Sequence, residues 1–296
     1  MHAQASTCQP AVMAPRSVTT PTAVLRLRPG VPVLRRDADT LQVGLDPPHV
    51  ARVPDTSDVR SMLDALRVGD SPTELSPVAA RVLDDLLTVG LAFPSAPDTT
   101  AAQRVAQAQF GADGVRRLAD RSGHRVGVRA DGPVRAIIAE LLTLAGLEVD
   151  DAPSVWLVVG SGPIVRESID PLVRAGAPHL LVSGDAGGRR IGPFVEPGRT
   201  ACLRCVDAHE AEADPRRPFL VEQAALASTG DEPVDPVLDR LALTWAVRDL
   251  CRYLEGDEPS TWSATVDIGP VDAPRLVRWL RHPHCGCAWD LLFDLP

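Results

Sequence analysis

The chain has 296 residues, 45% of them hydrophobic and 23% charged, with 30 basic against 39 acidic side chains and a net charge of −9. That balance excludes a general nucleic-acid binder, which needs clustered positive charge to neutralise phosphates. All 30 basic residues are arginine, so any chemistry that needs a lysine, as a Schiff base or on a phosphate, is excluded as well.

Residues 1–21 are rich in Ala, Thr, Pro and Ser without periodicity and read as a disordered lead-in. The N-terminus has no charged start leading into an apolar stretch, and no apolar run approaches the ~20 residues of a membrane span. A cytoplasmic protein with no membrane contact is therefore expected. Three short alternating runs follow, Val24 to Leu27, Val33 to Arg36 and Thr40 to Leu45, and predict a small antiparallel meander. From Ser57 the period turns helical through Val59, Met62, Leu63 and Leu66, and a second helix over Pro77 to Leu87 carries Val78, Val82, Leu83 and Leu86. This outline, over residues 22–93, is that of a winged helix-turn-helix. Asp84 and Asp85 on the would-be recognition helix argue against DNA reading.

Residues 94–120 read as a linker and a connecting helix. Beyond them, over 121–296, apolar strands alternate with helices: HRVGVRA, then GPVRAIIAELLTLAG, SVWLVVG, RESIDPLVRAG and PHLLVSG. This alternation predicts an open, mostly parallel Rossmann-like α/β sheet. A long helix over Pro236 to Tyr253 and a late strand, TWSATVDI, complete it. Asp249 and Arg252 of that helix read as a solvated face.

Four of the six cysteines form two close pairs, Cys202 with Cys205 and Cys285 with Cys287. CxxC supplies two sulfurs from one turn, and Gly286 lets the CxC pair aim both of its sulfurs one way. In a cytosolic chain this set points to structural zinc, with buried or redox thiols as the alternative. A closed shell of four thiolates leaves no position for a catalytic water. His284 and His282 adjoin the second pair as conceivable ring ligands. His209, four residues after Cys205, reads as a partner behind the ligands, a general base or simply a half-exposed helix histidine. Cys8 lies in the lead-in, and Cys251 reads as a small buried hydrophobe.

The turn after the first strand of the second domain, RADGPVRA, stands where a dinucleotide or ATP fold carries its glycine loop. It keeps Gly132 alone, with Pro133 and Arg135 where backbone amides should meet phosphate. Arg135 and Asp150 mark the phosphate and ribose positions of a site that reads as vestigial, and ATP is not expected. VVGSGP at 158–163 reads as a strand-to-helix turn.

The stretch PLVRAGAPHLLVSGDAGGRRIGPFVEPGRTACLRC, with the terminal HPHCGC, resembles the ThiF-like, ubiquitin-activating-type family over about residues 120–290. Closer still, the chain looks like the ThiF-like partners of YcaO cyclodehydratases, which serve in making azoline-containing ribosomal peptides and carry a PqqD-like winged-helix module before the adenylation-type fold. The resemblance implies a homodimer and a catalytically silent scaffold that binds a precursor leader peptide and presents it to the YcaO enzyme, which does the ATP chemistry. The implied mode is strand addition along Thr40 to Leu45, with Thr40, Gln42 and Val43 on the edge and Val78 and Val82 lining a groove against the second helix. An ATP-dependent adenylyltransferase acting on the C-terminus of a small carrier protein is the alternative that the fold offers.

Overall fold

The computed structural model describes residues 23–72, 74–185, 187–229 and 232–287. The lead-in, with Cys8, lies outside them. The chain divides into two compact units between Val115 and Arg116.

In the first unit β1 (Val24–Leu27) pairs antiparallel with β5 (Ala92–Ser95), while β2 (Val33–Arg35), β3 (Thr40–Val43) and β4 (Ala51–Pro54) form a separate antiparallel sheet in the order β2-β3-β4. Helices α1 (Ser57–Val68) and α2 (Pro77–Thr88) follow β4. The side chains at helical spacing in α1, Val59, Met62, Leu63 and Leu66, are all buried, and with Val82 and Leu86 of α2 and Leu41, Val43 and Val53 of the sheet they make one core. Ser76 caps α2 by accepting from the Ala79 amide at 3.1 Å, and Pro77 occupies the first turn, where no amide partner is needed. Helix α3 (Ala101–Phe110) starts with a capping box of Thr100 and Gln103.

Two expectations change here. Strand β4 is hidden in the sequence because ARVP buries only Val53. Its pairing with β3 makes Thr40–Val43 the centre of the sheet, so the free edges are β2 and β4 rather than Thr40 to Leu45. Val43 and Val82 are buried in the core, Val78 is exposed, Thr40 is half-buried, and the Gln42 side chain is held by Arg36 and by Gly44 O.

The second unit opens with α4 (Gly114–Ser122), in which the division falls, and then β6 (Arg125–Arg129), α5 (Gly132–Leu144), β7 (Glu148–Val149), β8 (Val155–Val159), α6 (Arg166–Arg174), β9 (His179–Asp185) and β10 (Gly188–Val195). It continues with α7 (Leu203–Ala213), α8 (Arg217–Ala227), α9 (Pro236–Leu254), β11 (Ala264–Ile268) and β12 (Arg275–Arg278). One sheet of order β12-β11-β10-β9-β8-β6-β7 results. The four strands β7, β6, β8 and β9 run parallel, and β10, β11 and β12 each pair antiparallel. Alternate residues of β8 serve the two faces: Val155, Leu157 and Val159 meet α5 and α9, and Val158 meets Ile169 and Leu172 of α6.

Helix α9 supplies Ala242, Leu243, Ala246, Val247, Leu250 and Leu254 to the larger core. Each buried Leu or Val there contributes about 1.5–3 kcal/mol. Asp249 does not lie on a solvated face. It is fully buried and accepts from the Ser260 hydroxyl (2.9 Å), the Thr261 amide (2.9 Å) and the Thr261 hydroxyl (2.7 Å). Among the described residues no helix is long and apolar enough to cross a membrane.

Candidate functional site

The two cysteine pairs meet because one residue holds both of their segments. After β10 the chain turns over Glu196–Thr200, with the Glu196 amide donating to Thr200 Oγ1 at 2.8 Å, and Ala201 leads into Cys202 at the N-cap of α7. The Ala201 amide donates to Ser263 Oγ at 2.9 Å, and the Trp279 amide donates to Ser263 O at 2.7 Å. Ser263 adopts φ 46°, in the left-handed region, and its hydroxyl and carbonyl each take one segment. Trp279 Nε1–H donates to Thr265 Oγ1 at 3.0 Å and so fixes the start of the segment that carries Cys285 and Cys287.

The sulfurs lie 3.7 Å (Cys202–Cys205), 3.5 Å (Cys202–Cys285), 3.5 Å (Cys202–Cys287) and 3.3 Å (Cys205–Cys287) apart. A disulfide needs ~2.05 Å, whereas a tetrahedron with metal–sulfur arms of about 2.3 Å has edges of about 3.8 Å. Cys202, Cys205 and Cys285 are buried against Val195 and Ala201, and Cys287 is half-buried. Cys205 accepts from the Cys202 thiol, which holds it far below the ordinary thiol range and pushes Cys202 far above it. Four sulfurs this close together can all be thiolates only around a cation. The quartet can hold a metal ion, and its donor set is of the kind that takes zinc.

The nearby histidines take other places. The His282 backbone amide donates to Cys205 Sγ at 3.3 Å while its ring turns toward His209, with centroids 4.8 Å apart and nearly perpendicular. His284 is exposed, and its amide donates to His282 Nδ1 at 3.2 Å. His209 donates from Nε2 to Leu280 O at 3.0 Å if that nitrogen carries the proton.

The nucleotide-type loop lies between β6 and α5. Gly132 is exposed, and a Cβ built on it meets nothing within 4 Å, so no close backbone approach requires glycine there. Arg135 folds its guanidinium back onto the strand end and donates from Nη1 to Val128 O. Asp150 accepts the Ala152 amide at 2.8 Å, an Asx turn. In the VVGSGP turn the Gly160 and Ser161 carbonyls accept from Arg189 Nη1 at 2.9 and 3.1 Å, and the Ser161 hydroxyl donates to Glu232 at 2.7 Å.

A cavity of 710 Å³ that sequence reasoning missed opens where β9, β10 and β11 face α7 and α8. Six of its charges are paired side by side. Arg166 grips Asp207 at 2.6 and 3.0 Å, Arg190 grips Asp267 at 2.6 and 3.2 Å and reaches Glu210 at 2.9 Å, and Arg217 meets Glu210 at 2.7 Å. Burial disfavours the Arg190 charge, but Asp267 and then Glu210 outweigh it and raise its pKa. Burial likewise opposes ionisation of Glu210, and the bonds from Arg190 and Arg217 prevail and lower it. The sequence signal for this network was the GRR of β10, which reads as a mere glycine-rich segment until the strand is seen. Gly192 in the same strand has φ 96°, and a Cβ there would lie 2.3 Å from Ala264 O, so the close approach to β11 requires glycine.

No protein-family model matches the sequence, and no curated protein matches it. Solved structures do match. The heterocyclase TruD superposes with a TM-score of 0.71 over 90% of this chain at 15% identity, and a heterocyclase in complex with substrate and cofactor with 0.68 over 91% at 13%. E. coli MccB with succinimide gives 0.64 over 90% at 13%. The resemblance read from the sequence thus extends to the three-dimensional structure. The chain shares the fold of these proteins. The chain spans only 43% and 40% of the two heterocyclase chains but 99% of MccB. At these identities the likeness is one of fold, and the complex of E. coli MccB with AMPCPP and MccA superposes as well, with a TM-score of 0.63.

Proposed function

We propose that the chain is a non-catalytic scaffold of ribosomal-peptide modification, which binds a precursor leader peptide through its first unit and presents it to a separate YcaO-type cyclodehydratase. The second unit is then a ThiF-like fold clipped by zinc on Cys202, Cys205, Cys285 and Cys287. The observation that carries this reading is the contrast between two places in one unit. The sulfur quartet has the spacing of a metal shell, whereas the loop after β6 offers one unconstrained glycine, and Arg135 bonds to the chain itself.

The peptide adds as a strand to β4, the free edge on the side of α2, with exposed Val78 on that helix as an apolar contact. Pro54 has no amide to offer, so pairing runs over Ala51 to Val53. The first unit is on this reading a winged-helix, PqqD-like module. The chain pairs with a second copy through the ThiF-like unit, and the exposed Phe219 and Leu226 of α8 supply apolar surface for that contact.

Adenylation of a carrier C-terminus is the second reading, favoured by the likeness to MccB, which has been solved with ATP. The two are separated by titrating a labelled leader peptide from an azoline-forming system with the full chain while following amide exchange. Micromolar binding with new protection at Ala51–Val53 supports the scaffold. Failure of every leader tested, together with pyrophosphate exchange on a carrier protein, establishes the second reading instead.

A further inference from the structure

We propose that the chain carries a second metal site, formed by His209, Glu212 and His282, which takes a divalent transition-metal ion such as zinc independently of the cysteine quartet. Helix α7 begins at the Cys202–Cys205 turn, and its next turns bring His209 and Glu212, three apart, onto one side. The segment that carries Cys285 and Cys287 brings His282 up to them. His209 Nδ1 and His282 Nε2 each lie 3.4 Å from the same carboxylate oxygen, Glu212 Oε1.

That distance has a meaning. Two ligand atoms bound to one ion at about 2.1 Å in tetrahedral geometry lie about 3.4 Å apart. With the His209 ring proton on Nε2, where the Leu280 carbonyl 3.0 Å away accepts it, the Nδ1 lone pair faces Glu212 Oε1, another acceptor. A carbonyl that fixes the far nitrogen of an imidazole is the usual support behind a metal-bound histidine. A cation between the two acceptors resolves their opposition. Ligation by His282 Nε2 moves that ring's proton to Nδ1 and releases the weak 3.2 Å contact from the His284 amide.

Two nitrogens and one carboxylate suit zinc, cobalt or nickel and not calcium or magnesium. The Glu212 side chain is 66% exposed and the His282 side chain 11%, so water has access to the remaining coordination position and the ion exchanges readily, unlike one enclosed by four sulfurs. Because His282 also donates its amide to Cys205 Sγ, an ion here pins the C-terminal segment to α7 beside the quartet.

The test is cobalt titration of the full chain after metal removal under reducing conditions, with zinc counted separately by mass spectrometry. The first equivalent of cobalt gives the intense sulfur-to-metal charge-transfer band of four thiolates. The proposal expects a second equivalent with weak bands lacking that transition, and expects His209→Ala and Glu212→Gln to keep the first and weaken the second at least tenfold. Glu212→Gln changes an exposed side chain and so leaves folding intact. One equivalent in the unaltered chain, or a second that both variants bind unchanged, overturns it.

Discussion

Ser263 takes the amide of Ala201 on its hydroxyl at 2.9 Å, one residue before the first zinc-type cysteine, while its own carbonyl anchors the strand end that leads to the second pair. A single left-handed serine therefore registers two segments some eighty residues apart. Ser263→Ala leaves the Ala201 amide unpaired and is expected to destabilise the second unit by about 1–3 kcal/mol. It also weakens metal retention against a chelator. Ser263→Gly relieves the backbone strain but lacks the hydroxyl, so the same loss of metal with a smaller loss of stability is expected, read by melting and metal content.

Cys202→Ser with Cys205→Ser removes half of the quartet. The expected result is loss of one tightly held zinc per chain and a fall in the melting temperature of the second unit, because metal binding to such a site is part of folding free energy. Metal content and melting that match the unaltered chain would refute the clip.

Stability depends on acid through Glu210. Its folded pKa lies below the ordinary ~4.3 of glutamate because Arg190 and Arg217 outweigh the cost of burial. The contribution is fully present above the unfolded pKa and is lost as pH falls through the lower, folded value. Urea unfolding between pH 6 and pH 3 is expected to show stability declining at the acid end, with a shallower decline in Glu210→Gln. Parallel curves for the two proteins would show that the network is not felt.

Asp249 is the buried acceptor of one amide and two hydroxyls. Asp249→Ala strands those donors in the core and is expected to cost about 3 kcal/mol or more, measured by chemical denaturation. A change within 0.5 kcal/mol would mean that Ser260 and Thr261 find other partners.

What was legible in the sequence was what periodicity and spacing encode. Strand β1, helices α1, α5 and α9 and the parallel strands β6, β8 and β9 follow their apolar patterns, and the cysteine spacing located the sulfur cluster. Strand β4 was hidden by an arginine and a proline in a four-residue run, and β10 by the Gly-Pro at its middle, since both residues ordinarily break strands. Missing β4 put the free edge of the small sheet on its central strand. Asp249 was misread because a carboxylate three residues before an arginine suggests a solvated face, and its partners, Ser260 and Thr261, lie beyond the helix end. The trio of His209, Glu212 and His282 depends on a fold-back of some seventy residues that no local pattern announces.

The central proposal is that this chain binds a leader peptide and does not bind nucleotide. Titration calorimetry of the zinc-replete chain with ATP and magnesium tests it most directly. The account predicts no binding heat at millimolar ATP, in the unaltered chain and equally in Arg135→Ala. Micromolar binding would contradict it, show that the loop from Ala130 to Arg135 still cradles phosphate, and make adenylation the working reading.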